Sequence, residues 1–233
     1  MFALGSWDGT PVALVVDTAS PGHYVLTDRS GYATINFGKT SLRLDANGAH
    51  SLSETAPGGR PVVGVLGTPY FLEGTVLVDF ERGSIGRVRS FHPDSGWVSV
   101  PFQKQNNYIF VAARVDGRRV RLGFDTGAPD SLLIGERGRP GDVEALTNDA
   151  YGHPVRLFER PSRIDLGAGL SFSANVSRTP YFKSIEDSNR RMGIDAQGLL
   201  GLSAMTAAAS QMVIDNPRGL IWFKSAAVAP TRF

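Results

Sequence analysis

Short apolar runs broken by glycine, proline, asparagine and aspartate set the rhythm of this chain. Residues 10–16 (TPVALVV) and 118–124 (RRVRLGF) read as strands. Each follows an Asp-Gly pair, Asp8-Gly9 or Asp116-Gly117, suited to a tight hairpin turn. Further strands are expected after them, punctuated by "NFGK", "DANG", "DAYGHP" and "GAG". Later apolar stretches run into "VLG" (65–67) and "LLG" (199–201), and each half of the chain closes with a strand pair around Arg-Gly. The alanine-rich stretch "LSAMTAAASQMV" (202–213) predicts a helix of about three turns. "TPYFLEG" (68–74) is too short for more than one turn. The pattern predicts a mainly β chain with at most one or two short helices per half.

The pattern also repeats. "DGTPVALVVDTASP" (8–21) and "DGRRVRLGFDTGAP" (116–129) share Asp8/Asp116, Gly9/Gly117, Val12/Val120, Leu14/Leu122, Asp17/Asp125, Thr18/Thr126 and Pro21/Pro129 at one constant offset. "LVDFERGSI" (77–85) and "VIDNPRGLI" (213–221) match at a wider offset, with Asp79/Asp215, Arg82/Arg218, Gly83/Gly219 and Ile85/Ile221 identical. The wider offset means a longer middle section in the second copy. Ordered matches of this kind indicate two related lobes. The turn-forming "SFHPDSGW" (90–97) marks the boundary, giving an N-terminal lobe over 1–90, a linker over 91–97 and a C-terminal lobe over 98–233.

Composition narrows the chemistry. The chain has 233 residues and no cysteine, which removes thiolate nucleophiles, disulfides and cysteine-ligated zinc. Net charge is only +2, a weak pull toward nucleic acid or anionic membrane. No apolar run approaches the roughly 18 residues of a membrane-spanning helix. His23, His50, His92 and His153 are scattered without metal-ligand spacing, and no G-x-S-x-G or phosphate-loop pattern follows a strand. The basic clusters "GRRVR", "ERGRPG" and "NRR" lack interleaved aromatics and read as solvated turns and faces.

What stands out is an apolar strand ending twice in Asp-Thr: "VVDTAS" and "GFDTGA". With the later "VLG" and "LLG", these elements resemble the aspartic proteases of the pepsin and retropepsin clan, in particular their single-chain bacterial relatives. The resemblance spans nearly the whole chain in element order and is tight at the Asp loops, the apolar-apolar-glycine elements and the terminal strand pairs. It implies two homologous, closed-barrel-like lobes related by a pseudo-twofold axis, with a cleft between. The implied activity is endopeptidase cleavage of a peptide or protein substrate by water activated between Asp17 and Asp125, without metal or cofactor. Two carboxyls in contact cannot both ionise, so in that family they share one proton and supply both base and acid.

The resemblance also assigns the neighbours. Thr18 and Thr126 would cross-link the two loops, Gly127 would let backbone approach a carboxylate, and "VLG" and "LLG" would pack behind the loops. Two departures matter. Ala19 stands where the family has glycine, and Ser20 in one loop faces Ala128 in the other. Ser20 would donate to the outer oxygen of Asp17, an anion-stabilising contact that Ala128 cannot match. Flap hairpins are expected over 32–44, with Phe37 near its tip, and over 146–157, with Tyr151 near its tip. Tyr24 would pack beneath the first flap. Asp79 and Asp215 fit turns better than chemistry.

Two alternatives stay open: a weak or inactive relative that retains the cleft as a peptide-binding or inhibitory module, and a domain-swapped dimer in place of the expected monomer. The chain opens on "MFALGSW" where the second lobe has the longer "WVSVPFQKQNNYIFVAARV". That difference suggests an upstream segment removed by processing and, with it, an extracytoplasmic location.

Overall fold

The structure, a computed structural model, describes residues 1–27, 31–47, 55–149 and 151–224. The strands of the first part are β1 (Phe2–Trp7), β2 (Thr10–Asp17), β3 (Tyr24–Leu26), β4 (Tyr32–Phe37), β5 (Thr40–Asn47), β6 (Thr55–Ala56) and β7 (Arg60–Gly67). Helix α1 (Thr68–Leu72), β8 (Thr75–Asp79) and β9 (Ser84–Val88) follow. Then come β10 (Trp97–Gln105), β11 (Tyr108–Val115), β12 (Arg118–Phe124), β13 (Ser131–Ile134), β14 (Val143–Asn148), β15 (Pro154–Gly167) and β16 (Leu170–Thr179). Helix α2 (Lys183–Met192), β17 (Gly198–Leu200), α3 (Leu202–Ala208), β18 (Gln211–Asp215) and β19 (Leu220–Lys224) complete the order. The chain is mainly β.

Two sheets form. In the first, the order β2-β1-β4-β5-β3-β7 closes through β2–β7 pairing into a six-stranded barrel, with β6 attached to β7. The second has twelve strands and ends in β18-β8-β9. Strands β8 and β9 therefore leave the first barrel and join the sheet built by the later residues. β8 lies antiparallel to β18 over its full length, from Thr75↔Asp215 to Gln211↔Asp79. One apolar cluster runs across both sheets, from Leu14, Val16 and Ile35 through Val76 and Val78 to Phe124, Leu200, Ile214 and Phe223.

One pairing scheme occurs twice. β1–β2 is an antiparallel hairpin and so is β11–β12. β2 runs parallel to β7 as β12 does to β17. β3 pairs parallel with β5 and antiparallel with β7, as β13 does with β16 and β17. Both Asp-Gly turns take left-handed backbone at Asp8 and Asp116 (φ 49° and 50°), the conformation a type I′ hairpin requires.

The register corrects the sequence at one point. β1 meets β4 through Ser6↔Asn36, and β11 meets β15 through Arg114↔Asp165. The β4–β5 turn is thus the counterpart of the β15–β16 turn, not of the turn at Tyr151-Gly152. The β14–β15 hairpin is an insertion unique to the second half among the described residues, and it accounts for most of the widened offset. The helices differ too. α3 stops at Ala208, and the expected third turn is strand β18, because Met212, Val213 and Ile214 are fully buried between β8 and β19. α2 is not anticipated by the sequence reading at all.

Candidate active site

Asp17 ends β2 and Asp125 directly follows β12. Each loop is pinned from behind by a strand running parallel to the one that delivers it. Asp17 lies in register with Gly67, and the Asp125 N–H donates to the Leu200 carbonyl at 3.0 Å. Contact is so close that a Cβ on Gly67 would sit 1.9 Å from the Gly22 carbonyl oxygen, and one on Gly201 2.3 Å from that of Asp130. This is why each apolar pair ends in glycine. The Thr68 hydroxyl closes the first loop by donating to the carbonyls of Thr18 and Ser20.

The threonines join the loops. The Thr18 hydroxyl donates to the Phe124 carbonyl (2.7 Å) and accepts from the Thr126 N–H (3.0 Å). Reciprocally, the Thr126 hydroxyl donates to the Val16 carbonyl (2.9 Å) and accepts from the Thr18 N–H (3.1 Å). Both threonines are buried, so four bonds without competing water hold the loops against each other.

The carboxyls face one another: both line one cavity, and the Gly127 backbone lies against the Asp17 carboxyl. Asp17 accepts from the Ala19 N–H at 2.7 Å; Asp125 accepts from Gly127 and Ala128 N–H at 2.8 and 3.0 Å. A Cβ on Gly127 would lie 2.7 Å from Cγ of Asp17, so glycine is required where the opposing carboxyl passes. The methyl of Ala19 is accommodated in the other loop, beside the same cavity. Burial pushes the Asp125 carboxyl up to about 7, and the facing Asp17 charge adds to the push. Burial raises Asp17 as well, opposed chiefly by the Ala19 N–H. The pair titrates as a unit that holds a proton well above the ordinary carboxylate range.

Ser20 is a correction. Its hydroxyl donates to the Gly22 carbonyl at 2.8 Å, so its single proton stabilises the loop and is not given to Asp17. The asymmetry between the two carboxyls arises instead from the deeper burial of Asp125.

The pair opens into a cavity of about 530 Å³. Its other walls are largely apolar: Tyr108 and Phe110 from β11, Ile185 and Met192 from α2, then Ile194, Ala196 and Leu199. Asn148 reaches it from the end of β14. Sequence reasoning missed this wall, although Ile185, Ser188, Asn189 and Met192 line the cavity at the spacing of one helical face. The turn before Tyr108 is tied to the end of α2, since Asn106 Nδ2 donates to the Met192 carbonyl at 3.0 Å.

The two expected flap-tip residues, Phe37 and Tyr151, lie away from the cavity. Phe37 packs on the core near β1, where a Cβ on Gly5 would be 3.1 Å from its ring, and lines a separate cavity with Tyr70 and Arg87. The β4–β5 hairpin is pinned to β1, which holds Phe37 away from the carboxyls. Tyr151 leans on the outside of α2, its hydroxyl accepting from Arg191 at 3.1 Å. Tyr24 is half-buried in β3, and burial and then the Asp17 charge raise its phenol; Tyr108 behaves in the same way. Asp79 accepts from the Arg82 N–H and Gln211 Nε2, and Asp215 from Arg218 and the Thr75 hydroxyl, which ties both into strand ends remote from the cavity. Among the described residues no cluster of metal-ligating side chains is present and no helix is long and apolar enough to cross a membrane.

No protein-family model matches the chain, and neither does any curated protein.

Proposed function

We propose that the protein is an aspartic-type endopeptidase of pepsin/retropepsin-like, two-lobed architecture, cutting a peptide bound in the cavity above Asp17 and Asp125. The supporting observation is a pair of facing carboxyls on loops locked by reciprocal threonines, opening into a largely apolar cavity. Peptide hydrolysis needs one group to take a proton from water and another to give one to the carbonyl oxygen. Asp17, less buried and facing the open cavity, serves as the base. Asp125, the group whose proton is held more tightly, serves as the acid toward the carbonyl oxygen. The proton that Asp17 took from water then passes to the departing amine nitrogen as Asp125 regains one from the tetrahedral intermediate's hydroxyl, so the pair carries one proton throughout. Tyr108, Phe110, Ile185 and Met192 receive a large apolar side chain beside the bond cut.

The test is cleavage of an unfolded protein by wild type, Asp17→Asn and Asp125→Asn, with a statine-type transition-state mimic as inhibitor. Each substitution lowers kcat by about 10²–10⁴-fold. Activity surviving both substitutions would sink the proposal. Peptide binding without cleavage by the wild type between pH 3 and 8 would leave a binding module.

A further inference from the structure

The face of the β11–β12 hairpin that carries Phe110 continues past the cavity into a second groove of about 520 Å³, lined by Ala112, Arg114, Arg119, Arg121, Asp165 and Gln197. Alternation places these side chains together. Phe110↔Gly123, Ala112↔Arg121 and Arg114↔Arg119 are cross-strand pairs sharing one face, while Val111, Ala113, Val115, Val120 and Leu122 are buried on the other. The two grooves meet where the Arg121 guanidinium stacks over the Phe110 ring, 4.3 Å from its centroid.

Like charges directly opposite one another in a sheet are destabilising, and here Arg114 faces Arg119. Among the described residues none of the three arginines has a carboxylate partner. Arg114 donates to the Gly117 carbonyl and Arg121 to the Gln105 side chain. Asp165 lies in register with Arg114, yet its carboxylate accepts from the Gly167 N–H. Elsewhere in the same sheet Arg118 and Arg178 pair with Glu136 and Arg160 with Asp142, while Arg163 donates to the Ser171 hydroxyl. The trio is therefore a set of guanidinium forks in a concave site, without the carboxylates that such forks match.

We infer that this groove binds acidic side chains of the polypeptide substrate, an inference that rests on the endopeptidase reading for the identity of its ligand. Arg121 and Arg119 precede Asp125 by four and six residues along an extended strand, about 13 and 20 Å. An extended substrate seated in the apolar cavity thus presents a carboxylate to them about four to six residues from the bond cut. Three guanidiniums offset by Asp165 suit one or two carboxylates and not a polyanion. The one aromatic face at hand, that of Phe110, is covered by Arg121, so no platform remains for stacking bases.

The experiment uses three decapeptides with a common Phe-containing cleavage sequence and Glu-Glu, Gln-Gln or Lys-Lys at the distal positions. KM is measured with the wild type, and binding by anisotropy with Asp125→Asn, which reads the groove independently of turnover. The Glu-Glu peptide is expected to bind about tenfold more tightly than Gln-Gln. Combined Arg114→Glu and Arg119→Glu reverses the order in favour of Lys-Lys, with the thermal midpoint as the check on folding. Equal binding of all three peptides, a Glu-Glu preference that survives the charge reversal, or tighter binding of a single-stranded oligonucleotide would overturn the inference. Glu-Glu selectivity in binding without any cleavage would retain the groove and remove the endopeptidase reading.

Discussion

Asp125 shows how a residue suited to chemistry is unsuited to stability. Its carboxyl is 8% exposed and its pKa is raised from 3.8 to about 7. A folded-state value above the unfolded one means that the folded protein binds the extra proton, so this carboxyl's contribution to stability is fully present below pH 4 and is lost as pH rises through about 7. Asparagine at this position keeps the acceptor for the Gly127 and Ala128 N–H groups and cannot ionise. Asp125→Asn is therefore expected to be more stable than wild type at pH 8, by up to about 4 kcal/mol, and close to it at pH 3.5. Thermal midpoints of the two proteins across that range test this. An unchanged difference across pH would mean that the carboxyl is not held protonated by the fold. Ala19 teaches the converse lesson. Steric sense alone flags it as an obstacle, yet it is the Gly127 side that admits no methyl, because there the opposing carboxyl presses against the backbone.

Among the elements, those fixed by local chemistry were legible in the sequence: the Asp-Gly hairpins, the strands ending at Asp17 and Asp125, the apolar-apolar-glycine strands, the Arg-Gly turns. Their cues are short-range, a positive-φ turn or a run of apolar residues. What escaped was decided by packing. The sequence 209–213 has helix-forming alanine at its start, but three consecutive buried positions at Met212, Val213 and Ile214 made strand the better solution between two existing strands. α2 escaped because its apolar face, Ile185 and Met192 in a polar decapeptide, is narrow and turned toward a cavity rather than toward the core. Phe37 and Tyr151 sit on hairpins of similar length that look equivalent in sequence, and only strand register separates them. That register yields a prediction at the same scale. The first barrel closes without any counterpart of β14–β15, so replacing residues 145–157 with Asn-Gly is expected to leave cooperative unfolding intact. Cleavage is expected to fall at least about tenfold with the loss of Asn148 from the cavity. Loss of cooperative unfolding would show that the hairpin is structural.

On the scale of the whole molecule, the sheet pairing does not respect the boundary near residue 90. β8 is an interior strand between β9 and β18, its Val76 and Val78 are fully buried, and Phe91 in the connection meets Trp97 and Trp222 edge-to-face. The intact chain is accordingly expected to unfold in one transition. A fragment over 98–233 would expose β18 as a long apolar edge and aggregate unless 1–90 is supplied in trans. Calorimetry of the intact chain and of the separate fragments checks this, and two resolved transitions in the intact chain would contradict it. The threonine lock has a consequence of a different kind. Donor and acceptor change places across it, Thr18 to Phe124 and Thr126 to Val16, so the contact reads the same from either side. Such a contact can be made by two copies of one segment with nothing new invented. A gene carrying the segment once already encodes both halves of the lock. Duplication and fusion would then free each copy to drift, leaving one loop with Gly127, the other with Ala19, and a hairpin on one side alone.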